Sequence, residues 1–233
     1  MAIYTIGDLH LSLGKDKPMD IFGSAWVNHS EKLKAGFRSV GDGDITVLCG
    51  DLSWGMGLEE TAPDFRFVDA LPGRKLILKG NHDYWWTTAA KIRRFFEEQG
   101  IHSIEILHNN AFAFGEYALC GTRGWFYEEE RGGAHDLKIM RREVMRLEAS
   151  LKAAGDRKKL VFLHYPPIYG NYRCEEILRL LREYRVGLCC YGHIHGKGCA
   201  YAWNGWYEGT EFKLVSADFV NFTPVRLPFS DSF

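Results

Sequence analysis

The sequence predicts an α/β fold on two observations. Strand-like apolar runs alternate with segments of helical periodicity along the 233-residue chain. In addition, five of the apolar runs are followed directly by Asp, Asn or His. Ligands of open α/β sheets bind beyond the carboxyl ends of the strands. We therefore expect these polar side chains to converge on one site at the edge of a sheet.

The five strand-end clusters occur in a fixed order along the chain. They are Asp8-Leu9-His10 after AIYTI, Gly50-Asp51 after ITVLC, Gly80-Asn81-His82-Asp83 after LILK, His164 after LVFL, and Gly192-His193-Ile194-His195 after LCCY. Each run has the length of a buried strand, and each cluster stands where the chain would leave the sheet.

The clusters contain seven side chains that can bind a metal: Asp8, His10, Asp51, Asn81, His164, His193 and His195. This mixed set of oxygen and nitrogen ligands suits Mn, Fe or Zn. Seven ligands are too many for one tetrahedral ion, but they fit two ions that share a carboxylate. Paired metals clamp the attacking and leaving oxygens of a displacement at phosphorus. We therefore predict two divalent metal ions and the hydrolysis of phosphoesters.

Helices are predicted between the strands, over residues 26–40, 59–71, 88–99, 136–154 and 175–184. The fourth has the clearest apolar stripe, formed by Leu137, Met140, Val144, Leu147 and Leu151. We expect this stripe to face the core, and Gly155 supplies a stop signal after it.

Further strands are predicted over residues 104–107, 111–114, 212–215 and 225–227. The first two flank a turn at His108-Asn109-Asn110, because Asn tolerates a positive φ. No linker or internal repeat divides the sequence. We expect one domain over residues 1–233.

The order Asp-x-His, Gly-Asp, Gly-Asn-His-Asp, His and Gly-His-x-His resembles the calcineurin-like metallophosphoesterase superfamily over the stretch from Asp8 to His195. The resemblance implies two mixed β-sheets packed as a sandwich and flanked by helices, in four layers α/β/β/α. It also implies hydrolysis by a hydroxide that bridges the two metals. In size and in its Gly-Asn-His-Asp form, the chain is similar to the small phosphodiesterase-like branches.

The resemblance also implies a role for each ligand. Asp8, His10 and His195 would bind the first metal, whereas Asn81, His164 and His193 would bind the second. Asp51 would bridge the two ions. His82 would lie just outside the metal ligands.

His82 and Asp83 are the predicted catalytic residues. An imidazole beside the metal site can give a proton to the leaving oxygen, and a neighbouring carboxylate can orient the ring and keep it protonated. The alternative for Asp83 is a carboxylate that caps a turn or a helix.

The second motif departs from that of the Ser/Thr protein phosphatases, which continue it as Gly-Asp-x-x-Asp-Arg. Here Trp54 and Gly55 stand at the last two places, so an Arg that would bind phosphate is missing. This difference disfavours a protein phosphatase. Arg123 and Arg173 are the candidates to replace that Arg, since a guanidinium matches phosphate geometry. Trp54 either stacks on a nucleotide-like substrate or belongs to the core.

Composition excludes little. A formal net charge of -1 offers no general attraction to nucleic acid, so we expect a small phosphoester as the partner. No signal peptide or membrane span is predicted, and we expect a cytoplasmic protein without membrane contact. Two alternatives stay open, a nuclease with the same two-metal chemistry and a metal-binding scaffold without catalysis.

The six cysteines suggest a third alternative, in which Cys190, His193, His195 and Cys199 form a single structural zinc site. That site would leave Asp8, Asp51 and Asn81 without a role. Cys49, Cys120, Cys189 and Cys190 lie in apolar runs, where free cysteines behave as small buried hydrophobes. We expect no disulfides.

Overall fold

The computed structural model describes residues 1–126 and 133–230. Its strands are β1 (Ala2–Ile6), β2 (Ile45–Leu48), β3 (Arg74–Ile77), β4 (Ile104–Ile106), β5 (Ala111–Phe114), β6 (Tyr117–Thr122), β7 (Lys158–Leu163), β8 (Ile168–Tyr169), β9 (Tyr172–Arg173), β10 (Leu188–Tyr191), β11 (Gly205–Tyr207), β12 (Thr210–Leu214) and β13 (Val225–Ser230). Its α-helices are α1 (His29–Gly36), α2 (Leu58–Asp69), α3 (Ala89–Gln99), α4 (Ala134–Ala153) and α5 (Glu175–Glu183).

The strands form two mixed sheets and a short hairpin of β8 and β9. The first sheet has the order β13-β1-β2-β3-β4, and the second has the order β11-β12-β10-β7-β6-β5. Strands β1 to β4 are parallel, as are β12, β10, β7 and β6, whereas β13, β11 and β5 pair antiparallel at the edges. In each sheet, strands that precede the predicted clusters are therefore neighbours that run in the same direction.

The two sheets pack face to face. Ile3, Val47 and Leu76 of the first sheet share one buried cluster with Phe162 and Leu188 of the second. The other face of the first sheet packs with α1, α2 and α3, and the other face of the second packs with α4 and α5. This arrangement confirms the predicted α/β sandwich. Side chains alternate between the two faces of each strand, so each sheet packs on the other sheet with one face and on helices with the other.

Four of the five predicted helices match the structure to within two residues at each end. The helix predicted over residues 26–40 is wrong as a single element. It consists of a 3₁₀ turn at Ser24–Trp26, helix α1 and a second 3₁₀ turn at Phe37–Ser39. The break before α1 lies at Asn28, whose φ of 53° is left-handed and cannot continue a helix.

The predicted strands 104–107 and 111–114 are present, and Asn109 has the expected positive φ of 61°. They belong to different sheets, so this turn carries the chain from the first sheet to the second. In α4, Leu137 of the predicted core stripe is 46% exposed, whereas Glu143 is fully buried. Glu143 is buried because it accepts a hydrogen bond from Thr122 and pairs with Arg146.

All six cysteines are free, and only Cys199 is not buried. Within residues 1–126 and 133–230, no helix combines the length and the apolar character that a bilayer span requires.

Candidate metal centre

The predicted ligands meet at one end of the sandwich, where strands of both sheets reach their carboxyl ends. Asp8 and His10 follow β1, Asp51 follows β2, and Asn81 follows β3. The second sheet contributes three histidines, at the ends of β7 and β10: His164, His193 and His195. Two groups of side chains form there, as predicted.

The first ligand set consists of Asp8, His10 and His195. The Nε2 atoms of the two imidazoles lie 3.4 Å apart, and Nε2 of His195 lies 3.6 Å from Oδ1 of Asp8. Atoms bound to one ion at about 2.0 to 2.2 Å lie roughly 2.8 to 3.6 Å from one another. The first ligand set therefore has the spacing that a single ion requires.

The second ligand set consists of Asn81, His164 and His193. Oδ1 of Asn81 lies 2.6 Å from Nε2 of His164 and 2.9 Å from Nδ1 of His193. These three atoms face one another, as the ligands of a second ion would.

Asp51 lies between the two ligand sets. Its Oδ2 is 3.5 Å from Nε2 of His164 and 3.9 Å from Nε2 of His10. Its Oδ1 accepts a hydrogen bond from the backbone N–H of His82 at 2.7 Å. One carboxylate thus faces ligand atoms of both sets, which is the position that a bridging ligand occupies.

The zinc alternative fails on this geometry. Its two histidines belong to different groups, since His193 joins Asp51 and His164 whereas His195 joins Asp8 and His10. Cys190 is buried between the two sheets.

The motifs and the geometry together agree with the result of the family comparison. The family model for the calcineurin-like phosphoesterases matches residues 1–197. The chain belongs to the calcineurin-like phosphoesterase family. The metal-dependent hydrolysis of phosphoesters that this family implies agrees with the two clusters of candidate ligands.

Solved structures resemble this calcineurin-like phosphoesterase in fold. A protein of unknown function, AQ665 from Aquifex aeolicus, is 14% identical with a TM-score of 0.54, and the alignment covers 97% of this chain and 95% of that one. The protein TT1561 of Thermus thermophilus is also 14% identical with a TM-score of 0.54, and 97% of each chain is covered. No curated protein matches the sequence.

Four of the candidate ligands of this phosphoesterase have a left-handed backbone. The φ angles are 59° at Asp8, 45° at His10, 51° at Asp51 and 73° at His193. Such angles are uncommon outside glycine and cost free energy, and they cluster at functional sites. Tight loops at the strand ends therefore hold these side chains in strained conformations.

Two glycines of the motifs let these loops approach the carboxylates. A Cβ on Gly80 would lie 2.0 Å from Oδ1 of Asp51, and a Cβ on Gly192 would lie 2.4 Å from Oδ2 of Asp8. In addition, the backbone N–H of His193 donates to both carboxylate oxygens of Asp8. Glycine is required at both positions, because a Cβ atom would collide with the carboxylate of Asp51 or Asp8 and displace it.

The charges of the site favour a bound cation. Burial and the charges of Asp83 and Asp8 raise the pKa of Asp51 well above its usual range. Burial also opposes the charged form of Asp8, but the nearby imidazoles of His195, His164 and His10 outweigh it and lower the pKa of that carboxyl. Buried carboxylates need a cation beside them, and two divalent ions would supply it.

The second ligand set contains imidazoles that are neutral at physiological pH. Burial lowers the pKa of His164 to about 4 and that of His193 to about 3. Neutral imidazole is the form that binds a metal. Nδ1 of His164 lies 3.0 Å from the carbonyl oxygen of Cys49, so an N–H there leaves Nε2 free as a ligand.

His195 is held by Asp218, a residue that the sequence analysis missed. Nδ1 of His195 lies 2.8 Å from Oδ1 of Asp218, whose Oδ2 accepts from the backbone N–H of Gly196. Burial disfavours the charged ring, but Asp8 and Asp218 raise the pKa of His195 to about 10. A carboxylate on the second ring nitrogen orients a metal-binding imidazole. No strand-end signal in the sequence marked it, since Ser216 and Ala217 separate Asp218 from the apolar run that ends at Val215.

The structure corrects the role predicted for Asp83. Its carboxylate accepts hydrogen bonds from the backbone N–H groups of Asp51, Leu52 and Gly80, at 2.7 to 2.9 Å, and from Nε1 of Trp85. Over the described parts of the chain it makes no hydrogen bond to His82. Asp83 is therefore the turn carboxylate of the alternative interpretation, and it ties the Asp51 loop to the Asn81 loop.

His82 lies at the side of the metal centre. Its Nδ1 is 3.3 Å from the hydroxyl oxygen of Tyr84, and its ring packs against that of Trp54 with the centroids 4.6 Å apart. Burial and the charge of Lys17 lower the pKa of His82. Tyr84, rather than Asp83, is thus the side chain that can orient this imidazole.

Of the predicted substrate residues, the structure brings only Trp54 to the metal centre, where its ring stacks on His10 with centroids 5.1 Å apart. The guanidinium of Arg123 faces Glu143 and Trp125, and that of Arg173 binds the carbonyl oxygens of Gly170 and Tyr172. In the described residues, neither guanidinium contacts any of the seven ligands.

Lys17 is the cation that the sequence analysis missed. Its Nζ lies 2.9 Å from the centroid of the Trp54 ring, and its charge acts on His82. A lysine in the irregular segment between β1 and α1 belongs to no motif, so no signal in the sequence marks it.

Proposed function

We propose that this protein is a binuclear hydrolase of small phosphoesters, with Mn, Fe or Zn as its metals. The observation that carries the proposal is the position of Asp51, whose Oδ2 faces ligand atoms of both sets. When bound, the two ions supply Lewis-acid charge for the phosphoryl group and activate water as the nucleophile. The buried carboxylates and neutral imidazoles support this choice of metals.

The residues of the chain hold the reacting groups in place. Asp51 lies between the two ligand sets and faces ligand atoms of both. Asp218 orients the ring of His195, and the carbonyl of Cys49 orients the ring of His164. Asp83 fixes the separation of two loops that carry ligands, because it binds the backbone of both. Precise positioning of this kind is a large part of catalysis at phosphorus.

His82 is proposed to act on the leaving oxygen. Its backbone N–H is bound to Asp51, which places the residue beside the bridging position, and Tyr84 occupies Nδ1. The protonated ring, with its Nδ1–H directed at Tyr84, gives the Nε2 proton to the departing alcohol as the phosphorus–oxygen bond breaks, and it is left as neutral imidazole, the form that its lowered pKa favours. Lys17 is proposed to contact the phosphoryl group in place of the missing Arg, since its charge reaches the same ring.

The test is reconstitution of the purified protein with Mn, Fe or Zn. Elemental analysis should find two ions per chain. The loaded protein should hydrolyse 4-nitrophenyl phosphate or bis(4-nitrophenyl) phosphate, which also separates a monoesterase from a diesterase. In ¹⁸O-labelled water under single turnover, the label should appear on the phosphoryl product. Label in the alcohol alone, or the absence of turnover with two ions bound, would contradict the proposal.

A further inference from the structure

A cavity of about 240 Å³ opens directly beside the first ligand set. His10, His195 and His82 form the wall on the side of the metal centre. The rest of the lining comes from Trp54 and from residues between β1 and α1, which are Met19, Phe22 and Trp26. The cavity therefore shares its boundary with the place where a phosphoryl group would react.

The walls of this cavity are mainly apolar. Nε1 of Trp54 already donates to the sulfur of Met19 at 3.1 Å. The second nitrogen of His195 is bound to Asp218, and that of His82 to Tyr84. With these atoms engaged, the walls present mainly ring faces and aliphatic carbon to a guest, and the polar groups left are Nε2 of His82 and the Lys17 ammonium over Trp54. A guest with several hydrogen-bonding edges would lose more contacts with water than it gains here.

The cavity has room for an aromatic ring, because an apolar cavity of about 150 Å³ already accommodates benzene. Pockets for drug-sized molecules span about 300 to 1,000 Å³, and this cavity is smaller. Aromatic walls suit an aromatic guest, since the rings of Trp26, His10 and His195 already meet edge to face or tilted.

The place of His82 identifies which part of the substrate enters. The same imidazole that is proposed to protonate the leaving oxygen forms part of the wall. The carbon group carried by that oxygen therefore points into the cavity. The group must be close to the ester oxygen, because the cavity and the metal centre share side chains.

We propose that the substrate is a phosphoester whose leaving alcohol carries an apolar ring next to the ester oxygen, and that this ring binds between Trp26, Trp54 and Phe22. The inference rests on the proposed function for the orientation of the ester. It favours an apolar ring over a nucleobase, most of whose polar edges would stay unpaired in these walls.

Binding tests the inference without turnover. Benzylphosphonate and methylphosphonate, which cannot be hydrolysed at an ester bond, are titrated calorimetrically into the metal-loaded protein, with the non-hydrolysable 5′-phosphonate analogue of adenosine monophosphate as a third ligand. Benzylphosphonate should bind about 10- to 100-fold more tightly than methylphosphonate, because its ring leaves water. Equal affinities, or tighter binding of the adenosine phosphonate, would overturn the inference.

Variants locate the binding site of the ring. Phe22 is 58% exposed, so Phe22→Ala should leave the fold intact and reduce the benzyl preference several-fold. Trp26→Ala should reduce it further, with folding checked by circular dichroism. Trp206→Ala, an equally large change at an exposed position on β11 at the edge of the second sheet, should not alter it. A benzyl preference that survives both cavity variants would contradict the proposed location.

Turnover separates the two proposals. Benzyl and methyl phosphate have leaving alcohols of similar acidity, so a higher kcat/KM for the benzyl ester reports the cavity rather than the chemistry. Tight binding of benzylphosphonate without hydrolysis of either ester would contradict the proposed function and leave the inference standing. Hydrolysis of both esters at equal rates, with equal phosphonate affinities, would contradict the inference about the cavity and leave the proposed function standing.

Discussion

The metal centre and the aromatic cavity beside it share three imidazole rings, but they are built in different ways. The ligands of the metal centre follow buried parallel strands of two sheets, and glycines fit closely around their carboxylates. Met19, Phe22 and Trp26 of the cavity lie instead on short 3₁₀ turns, and Phe22 is exposed.

This difference suggests that the metal centre determines the chemistry and the cavity determines the selectivity for the substrate. A buried sheet resists displacement because its backbone is fully paired and its faces are packed. A short connection at the surface tolerates changes more easily. We therefore expect changes at the strand ends to remove metals and activity, and changes in the connection to alter the choice of substrate.

The largest expected effect is that of Asp51→Asn. Because one carboxylate faces both ligand sets, its loss should release both ions and abolish metal-dependent turnover. Elemental analysis and an esterase assay measure the outcome. Asp44→Asn is the matched control, since Asp44 lies just before β2 and binds backbone N–H groups at the opposite end of that strand. An Asp51→Asn protein that keeps two ions would refute the bridging role.

His82 lies on the boundary between the two regions, so its replacement should affect the rate of hydrolysis differently for esters with different leaving groups. His82→Ala should slow esters of poorly acidic alcohols by about 10² to 10⁴ and slow nitrophenyl esters much less, with two ions retained. Tyr84→Phe should show the same selectivity in milder form, because it removes the hydroxyl that orients the ring. Equal losses on both esters, with chemistry rate-limiting, would leave His82 as a binder of the transition state.

Two glycines at the ends of β10 test the crowding of the metal centre. Gly192→Ala puts a Cβ 2.4 Å from Asp8, and we expect a loss of about 1 to 3 kcal/mol in the free energy of unfolding, with weaker binding of the first metal. Gly187→Ala, before the same strand, meets nothing within 4 Å and should change neither. Urea unfolding and metal titration give the two readouts. Comparable effects from both variants would show that crowding at Asp8 is not the cause.

The smallest effect on the metal centre is expected from a change at the cavity, Gly23→Ala. Gly23 joins the two 3₁₀ turns with φ 124° and ψ 165°, a conformation that is nearly restricted to glycine. No atom within 4 Å would meet the new Cβ, so the change acts through the backbone alone. The benzyl preference should fall several-fold while the metal content stays at two.

The control for Gly23→Ala is Gly57→Ala. Gly57 also has open space around it, but its φ of −147° suits any residue. This control should leave both the preference and the metal content unchanged. A loss of metal from Gly23→Ala would show that the two regions are not independent.

The seven candidate ligands could be brought together from the sequence because each depends on a local signal. A short apolar run predicts a buried strand, and an Asp, Asn or His directly after it must lie where the chain leaves the sheet. The parallel order of β1, β2 and β3 then brings three such ends together. Asp218 lies outside this rule, because Ser216 and Ala217 separate it from the apolar run that ends at Val215.

The role of Asp83 could not be predicted in this way. Beside His82 in the sequence, it was expected to orient that ring, but its carboxylate points into the turn and binds the N–H of Asp51 and Leu52. Sequence neighbours on a tight turn face different directions, and only the folded backbone decides which groups each side chain meets.

The sequence by itself therefore determined the α/β class, the helices other than the first, and the candidate ligands of the metal centre, since strand periodicity and strand-end residues are properties of short segments. The sandwich of two sheets was expected from the family resemblance and not from these patterns. The tertiary structure alone decided the cavity, the place of Lys17 and the partner of His195. These features join residues from separate elements, such as Trp54 with Met19 and His195 with Asp218, through contacts that no local pattern records. Long-range packing of irregular segments follows from the whole fold and not from the periodicity of any one of them.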